Sequence, residues 1–435
     1  MSVVPSNQNR PVQDPASRRD FLKTTGAAVV ASSVAASVSS ARSVHAAGSD
    51  ILKVGLIGCG GRGSGAASDA MRAEDNVRLT AIADLFPDQV ERSKRLIAGA
   101  VGDKYAVPDS QCFSGFDAYK KVMETDVDVV LLCTPPHFRP LHLRAAIEAG
   151  KHVFCEKPVA VDGPGLRSVL ASAKLAKEKK LSLVSGLCWR YDLGVRETMK
   201  RIQDGAIGDI VAIQENYLTG TLWLRQRMPN WSEMEYQCRN WLYYTWLSGD
   251  HIVEQHIHSL DKALWLMGDK PPAKCFGLGG RQVRTDPAYG HIYDHFANCY
   301  EWPNGTKTFA FTRQMAGCKA DVDDYILGTK GKAVVLKHII EGEQSWQYKG
   351  PKPSMYEVEH RELFAGIRSG NIINNGEYMT YSTLMAIMGR EACYTGEEIT
   401  AEAVMNSEVA LGPKNYEFGN VETPEVAMPG LTRFA

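Results

Sequence analysis

Three short stretches carry residues whose types and spacing can do chemistry. Gly58-Cys59-Gly60-Gly61-Arg62-Gly63 fits G-x-G-x-x-G, and Asp84 follows roughly 20 residues further on. In that register the first glycine permits a tight turn. The second lets backbone approach a pyrophosphate, and the third lets helix and strand pack closely. Phosphates then meet the start of a helix, and the acid accepts from a ribose hydroxyl. Leu85 and Phe86 follow Asp84, so no cation beside it awaits a 2′-phosphate. NAD is therefore expected rather than NADP. Glu156-Lys157-Pro158 closes a strand-like run, where Lys157 either sits over the nicotinamide end or is a solvated surface lysine. The third stretch runs from Gly249 to Asp261. As a helix it places Glu254, His258 and Asp261 on one face, with His251 joining them. A carbinol that loses hydride needs a base for its proton, and a histidine oriented by a carboxylate suits that task. A solvated network of acids and histidines fits the same spacing. So does a metal site built from His251, Glu254 and His258, although no further ligand cluster is visible and none is expected.

The surrounding elements have the order that would position these groups. Ile51–Ile57 reads as a strand ahead of the glycine loop, Ser64–Arg72 as a helix, and Val77–Ala83 as a second strand. Phe116–Thr125 looks helical, and Asp128–Cys133 reads as a strand buried on both faces that runs into Thr134-Pro135-Pro136-His137. Leu141–Ala149 reads as a helix stopped by Gly150, followed by the strand His152–Cys155. The strand Leu181–Leu187 closes the alternation. Ligands of an open parallel sheet lie at its strand C-termini, where all these motifs fall.

Together the glycine fingerprint, Thr134-Pro135-x-His137, Ala149-Gly150-Lys151-His152-Val153 and Glu156-Lys157-Pro158 resemble the Gfo/Idh/MocA oxidoreductases. The resemblance covers essentially all of the chain after its first 46 residues. It implies an α/β fold: an N-terminal Rossmann dinucleotide-binding domain, then a C-terminal α/β domain with a large, mostly antiparallel sheet. The boundaries expected are 51–187 and 188–435, with the last helices able to pack back on the first domain. The resemblance implies NAD(P) held by Gly58, Cys59, Gly60, Gly61, Arg62, Gly63, Asp84, Thr134, Pro135, His137, Glu156, Lys157 and Arg190. It makes Lys157 the catalytic or substrate-orienting lysine. Glu254 and His258 match the acid and histidine of the family pattern D-x-G-x-H-x-x-D. Here the acid is Glu, and His256 replaces a glycine, so the identity of a relative's substrate does not carry over.

Alternating segments in the second half suggest antiparallel strands at Ile210–Tyr217, Lys274–Val283, His291–Trp302 and Lys307–Arg313. Trp231, Tyr236, Trp241, Tyr243, Tyr244 and Trp246 cluster around Arg239 and Asn240. Aromatic faces stack on sugar C–H surfaces, and equally they build a domain core or a subunit interface. Trp241 is therefore grouped with Lys157, Arg190, Glu254 and His258 as a substrate contact. Arg281, His291, Asp294 and His295 fall on the same segments and fit either a pocket wall or ordinary sheet-face positions.

The first 46 residues read as an address. Arg18-Arg19 precedes Phe21-Leu22, a weakly apolar run follows, and Val44-His45-Ala46 offers small residues for cleavage. This resembles a twin-arginine export signal, so an exported, periplasmic or extracytoplasmic protein is expected. Arg10, Arg18, Arg19, Lys23 and Arg42 against Asp14 and Asp20 make the address basic and leave the remainder mildly acidic. Over all 435 residues, 49 Lys+Arg face 50 Asp+Glu, a balance that gives nucleic acid no purchase. No apolar run reaches the roughly 20 residues of a membrane span. The 10 cysteines form no CxxC and read as mostly buried thiols. The function expected is NAD-dependent oxidation of a hydroxyl of a sugar, cyclitol or sugar derivative, by a homodimer or homotetramer. The alternative is a glycoside-cleaving enzyme that keeps NAD bound and oxidises transiently.

Overall fold

Leu52, Val54 and Leu56 are fully buried in the first strand, β1 (Leu52–Ile57). Each such side chain contributes about 1.5–3 kcal/mol on leaving water. In the computed structural model, which describes residues 50–434, β1 lies inside a six-stranded parallel sheet. The export address at residues 1–46 lies outside the described residues. The other strands of the sheet are β2 (Val77–Asp84), β3 (Cys112–Ser114), β4 (Val129–Leu132), β5 (His152–Cys155) and β6 (Leu183–Ser185). Their order is β3-β2-β1-β4-β5-β6. All pairs are parallel, so both faces are covered by helices and β4 is apolar throughout. The order reverses between β1 and β4, which opens a crevice at their C-terminal ends.

Downstream lies a nine-stranded sheet in the order β14-β13-β12-β11-β7-β10-β9-β8-β15. Its members are β7 (Ile210–Thr219), β8 (Lys274–Gly280), β9 (His295–Glu301), β10 (Lys307–Gln314), β11 (Asp321–Gly328), β12 (Gly331–Val334), β13 (Ile339–Gly342), β14 (Trp346–Gln347) and β15 (Ile399–Thr400). It is antiparallel except for β7 and β10, which run parallel. The excursion from Gly220 to Ala273 supplies the crossover that such a pair requires. The helices Ile257–Leu266 and Gly376–Thr395 cover one face. On the other face Phe276, Leu278, Phe309, Phe311 and Leu327 are exposed.

Two late helices reach back. Met355–Ser369 packs on the helix Gly61–Ala73, adding Val358, Leu363, Phe364 and Ile367 to the core around β1. Gly376–Thr395 lies between the helix Gly163–Glu178 and β8. All ten thiols are free, and seven are buried. Among the described residues no helix is long and apolar enough to cross a membrane.

Candidate active site

At the reversal point the chain leaves β1 through Gly58, whose φ of +101° and close approach to the Cys133 and Thr134 backbone exclude a side chain. A Cβ on Gly63 would stand 1.8 Å from the Gly58 carbonyl oxygen, so helix and strand touch there. The helix Gly61–Ala73 begins without a side-chain cap, leaving its first N–H groups for a ligand. At the end of β2, Asp84 accepts from the backbone N–H of Cys59 at 2.6 Å and of Phe86 at 2.9 Å. Burial pushes its carboxyl up to about 6.

These groups line a cavity of about 750 Å³, within the roughly 300–1,000 Å³ range of small-molecule sites. Gly58, Gly60, Gly61, Arg62, Gly63, Asp84, Thr134, Pro135, Glu156, Lys157, Trp241, Glu254 and His258 are all on its wall. Cys59 contributes its N–H to Asp84, while its thiol is buried against the Ala83 carbonyl. An uncapped helix start, open space beside Gly60 and Gly61, and a carboxylate at the end of the second strand fit a dinucleotide.

Arg62 is tied down from two directions. It bonds Glu156 of the Glu-Lys-Pro turn, and it bonds Glu359 of the returning helix at 3.0 Å. Tyr356, one turn earlier on that helix, lines the cavity under the same guanidinium, 4.8 Å from ring centre to carbon.

Lys157 Nζ donates to the Glu254 carboxylate at 2.9 Å and to the Glu254 carbonyl. Both side chains are mostly buried, 12 % and 14 % exposed. The stretch does not keep one helical register. Ile252–His256 forms a π-helical turn before the α-helix Ile257–Leu266. Glu254 and His258 still reach the cavity, whereas His251 turns into the core and bonds Asp250 at 3.0 Å. Glu254 holds Lys157 instead of orienting His258. Burial, then Lys157, Lys262 and Arg62, press the His258 imidazole well below its ordinary 6.5, and its Nδ1 is buried without a protein partner. Beneath it, buried Lys262 bonds the His258 carbonyl at 2.7 Å and Asp324 at 3.0 Å.

Three residues expected at the site lie elsewhere. Arg190 does not face the cavity: its guanidinium is buried on Asp261 at 2.8–3.0 Å and Asp269 at 2.6 Å, against the Tyr378 ring. Breaking a buried pair costs about 3–5 kcal/mol, so the arginine stays with its acids. Asp261 leaves the expected site face with it. His137 is off the cavity wall as well. It bonds the Tyr416 hydroxyl at 2.7 Å and packs against Trp246, and burial lowers it to about 4. The turn Pro136–Phe138 points Phe138, not His137, into the cavity.

Of the aromatic cluster, Trp231 and Trp241 line the cavity, with Trp223 and Arg225 from the preceding loop. Tyr236, Tyr243, Tyr244 and Trp246 form a separate small core. Asp294 accepts three backbone N–H groups in the Gln282–Arg284 turn and is not a pocket group. His291 lines a second hollow, of about 860 Å³, beneath the C-terminal segment. Arg239, expected among the aromatic cluster, lines the cavity. It lies 3.8 Å over the Phe86 ring and pairs with Asp88 at 2.9 Å, closing the second domain over the ribose end. Arg92 also lines that end.

Comparison with known proteins agrees with this fold. The family described as Gfo/Idh/MocA, "Oxidoreductase family, NAD-binding Rossmann fold", matches residues 52–186, and its C-terminal domain matches residues 195–334. Over 282 residues the chain is 29% identical to the inositol 2-dehydrogenase of Rhizobium meliloti (strain 1021), covering 64% of this chain and 74% of that protein. It is 26% identical over 261 residues to the 2,7-anhydro-N-acetylneuraminate hydratase of Escherichia coli (strain K12), covering 59% of this chain and 60% of that protein. The scyllo-inositol dehydrogenase of Lactobacillus casei, solved with NAD(H) and scyllo-inositol, superposes with a TM-score of 0.63. It is 18% identical and covers 81% of this chain and 100% of its own, a likeness of fold.

Proposed function

The chain belongs to the Gfo/Idh/MocA family of NAD-binding oxidoreductases, and from that membership, with the twin-arginine-like segment at residues 1–46, we propose an exported dehydrogenase that oxidises a hydroxyl of a sugar, cyclitol or sugar derivative. The observation that carries this reading is the convergence of Lys157, Glu254 and His258 on the cavity that the glycine loop and Asp84 open. Bound NAD would supply the hydride acceptor. Asp84 would take ribose hydroxyls, and the uncapped helix start would take the pyrophosphate. The Lys157 ammonium, anchored by Glu254, stabilises negative charge that develops on the substrate oxygen. Neutral His258 would take the hydroxyl proton as hydride leaves, when the nascent carbonyl makes that proton strongly acidic, and the burial and cations that disfavour imidazolium would then favour passing the proton on. Trp241 offers an apolar face to the ring. The purified protein, given NAD and a panel of sugars and cyclitols, should form NADH with at least one of them. Silence across the whole panel would remove this reading.

A second reading is favoured by Arg239, which lies over Phe86 and would retain the cofactor: cleavage or rearrangement of a glycoside through transient oxidation by bound NAD. The relative named as a hydratase is consistent with it. Native mass spectrometry separates the two, because retained NAD travels with the protein and glycoside turnover then needs none added. The exposed apolar residues of the large sheet support a homodimer or homotetramer built on that face.

A further inference from the structure

Gln255 follows Glu254 in the π-helical turn and lies on the cavity wall. Its Oε1 accepts from Nε2 of Gln314 at 2.6 Å. Gln314 ends β10, fully buried, and its own Oε1 accepts from Nη2 of Arg284. Arg284 is 1% exposed and is fixed in turn, with Nη1 donating to the Tyr293 carbonyl at 3.1 Å.

The polarity of this chain follows from chemistry. A guanidinium has donors only, so the Gln314 atom facing it is the oxygen. The other end of that amide is then NH₂, which can only donate. The Gln255 atom facing it is therefore its oxygen, and the Gln255 NH₂ is left for the cavity. Among the described residues no protein acceptor bonds that nitrogen. A lone glutamine turns its amide either way at little cost. Here a turn would set donor against donor at Gln314 in a buried place, where an unmet polar group is penalised.

We propose that Gln255 is a specificity-determining residue that donates to an sp² oxygen of the substrate, an acyl carbonyl or a carboxylate. Gln314 and Arg284 are its positioning residues. A hydroxyl both donates and accepts, so either amide orientation would serve it. A donor locked in one sense discriminates in favour of an oxygen that can only accept. The nearby Glu254 carboxylate does not compete for the role, because it already holds Lys157. Arg225 lines the same cavity without an acid partner among the described residues, which suits the carboxylate case. The inference rests on the site being a sugar site.

The test is equilibrium binding to the NAD-loaded protein, read by quenching of tryptophan fluorescence, with N-acetyl-D-glucosamine, D-glucuronate, D-glucose and myo-inositol as probes. The acyl sugar or the uronate should bind roughly ten- to hundredfold more tightly than the two hydroxyl-only probes. Which of the two does so identifies amide or carboxylate as the source. Gln255→Glu keeps an acceptor for Gln314 but presents oxygen to the cavity. It should abolish the preference while glucose affinity moves by less than about threefold. Gln314→Glu, outside the cavity, leaves Gln255 without its donor and should produce the same loss with NAD content unchanged. Gln255→Leu serves if that variant does not fold. Equal affinity, or none, for all four probes in the wild type overturns the inference, as does a uniform loss in Gln255→Glu. NADH formation is measured separately: the binding preference without turnover would leave this inference standing and remove the dehydrogenase reading.

Discussion

Lys157 and Glu254 meet from different domains, so each is useful only where the other holds it. Lys157→Ala should lower turnover by roughly 10²–10³-fold, the range of a lost donor to a developing oxyanion, with NAD affinity nearly unchanged. Steady-state rates and NAD titration check both halves, and wild-type turnover would end the assignment. Asp84 makes a second expectation. Its carboxyl sits near 6 because burial disfavours the charge, and only the ionised form fully accepts ribose hydroxyls. NAD affinity should therefore fall as pH drops through about 6, by at most about tenfold per unit. Dissociation constants between about pH 5 and about pH 8 would show it, and Asp84→Asn should flatten the curve.

The glycine loop separates two element-scale roles that look identical in sequence. Gly63→Ala pushes a methyl into the Gly58 carbonyl, so helix and strand must part, at roughly 1–3 kcal/mol. Gly60→Ala meets no atom within 4 Å, because its Cβ enters open space beside the helix start. The first variant should melt early, whereas the second should melt normally and lose NAD binding. Thermal scans with and without NAD distinguish them. The same contrast marks how far the sequence was legible. The loop, Asp84 and the Glu-Lys-Pro turn each sit at a strand C-terminus in a regular alternation of strands and helices, so spacing placed them although their partners lie 25 to 97 positions away. Arg190 and His137 were misplaced because their partners, Asp261, Asp269 and Tyr416, come from distant segments. The π-helical turn breaks the register between His251 and His258, so His251 leaves the face, whereas Asp261, on the same unbroken α-helix as His258, is taken up by Arg190 and Ser382. Tyr356 and Glu359 gave no local signal, since they meet Arg62 only through packing of a helix 297 positions downstream. The parallel β7–β10 pair depended on where a long crossover returned, which alternation cannot encode.

At the scale of the molecule, the exposed face carrying Phe276, Leu278, Phe309, Phe311 and Leu327 is the largest test of assembly. Sedimentation should report a dimer or tetramer. Leu278→Asp with Phe311→Asp should yield monomers that still bind NAD, because neither residue borders the cavity. A wild-type monomer would dismiss that assembly. The returning helix Met355–Ser369 has a different reach. Val358, Leu363, Phe364 and Ile367 complete the core around β1, and Glu359 clasps the glycine loop. A ribosome that has released only the first six strands has therefore not yet made a finished cofactor domain. Cofactor loading is therefore expected late in synthesis, once that helix has emerged.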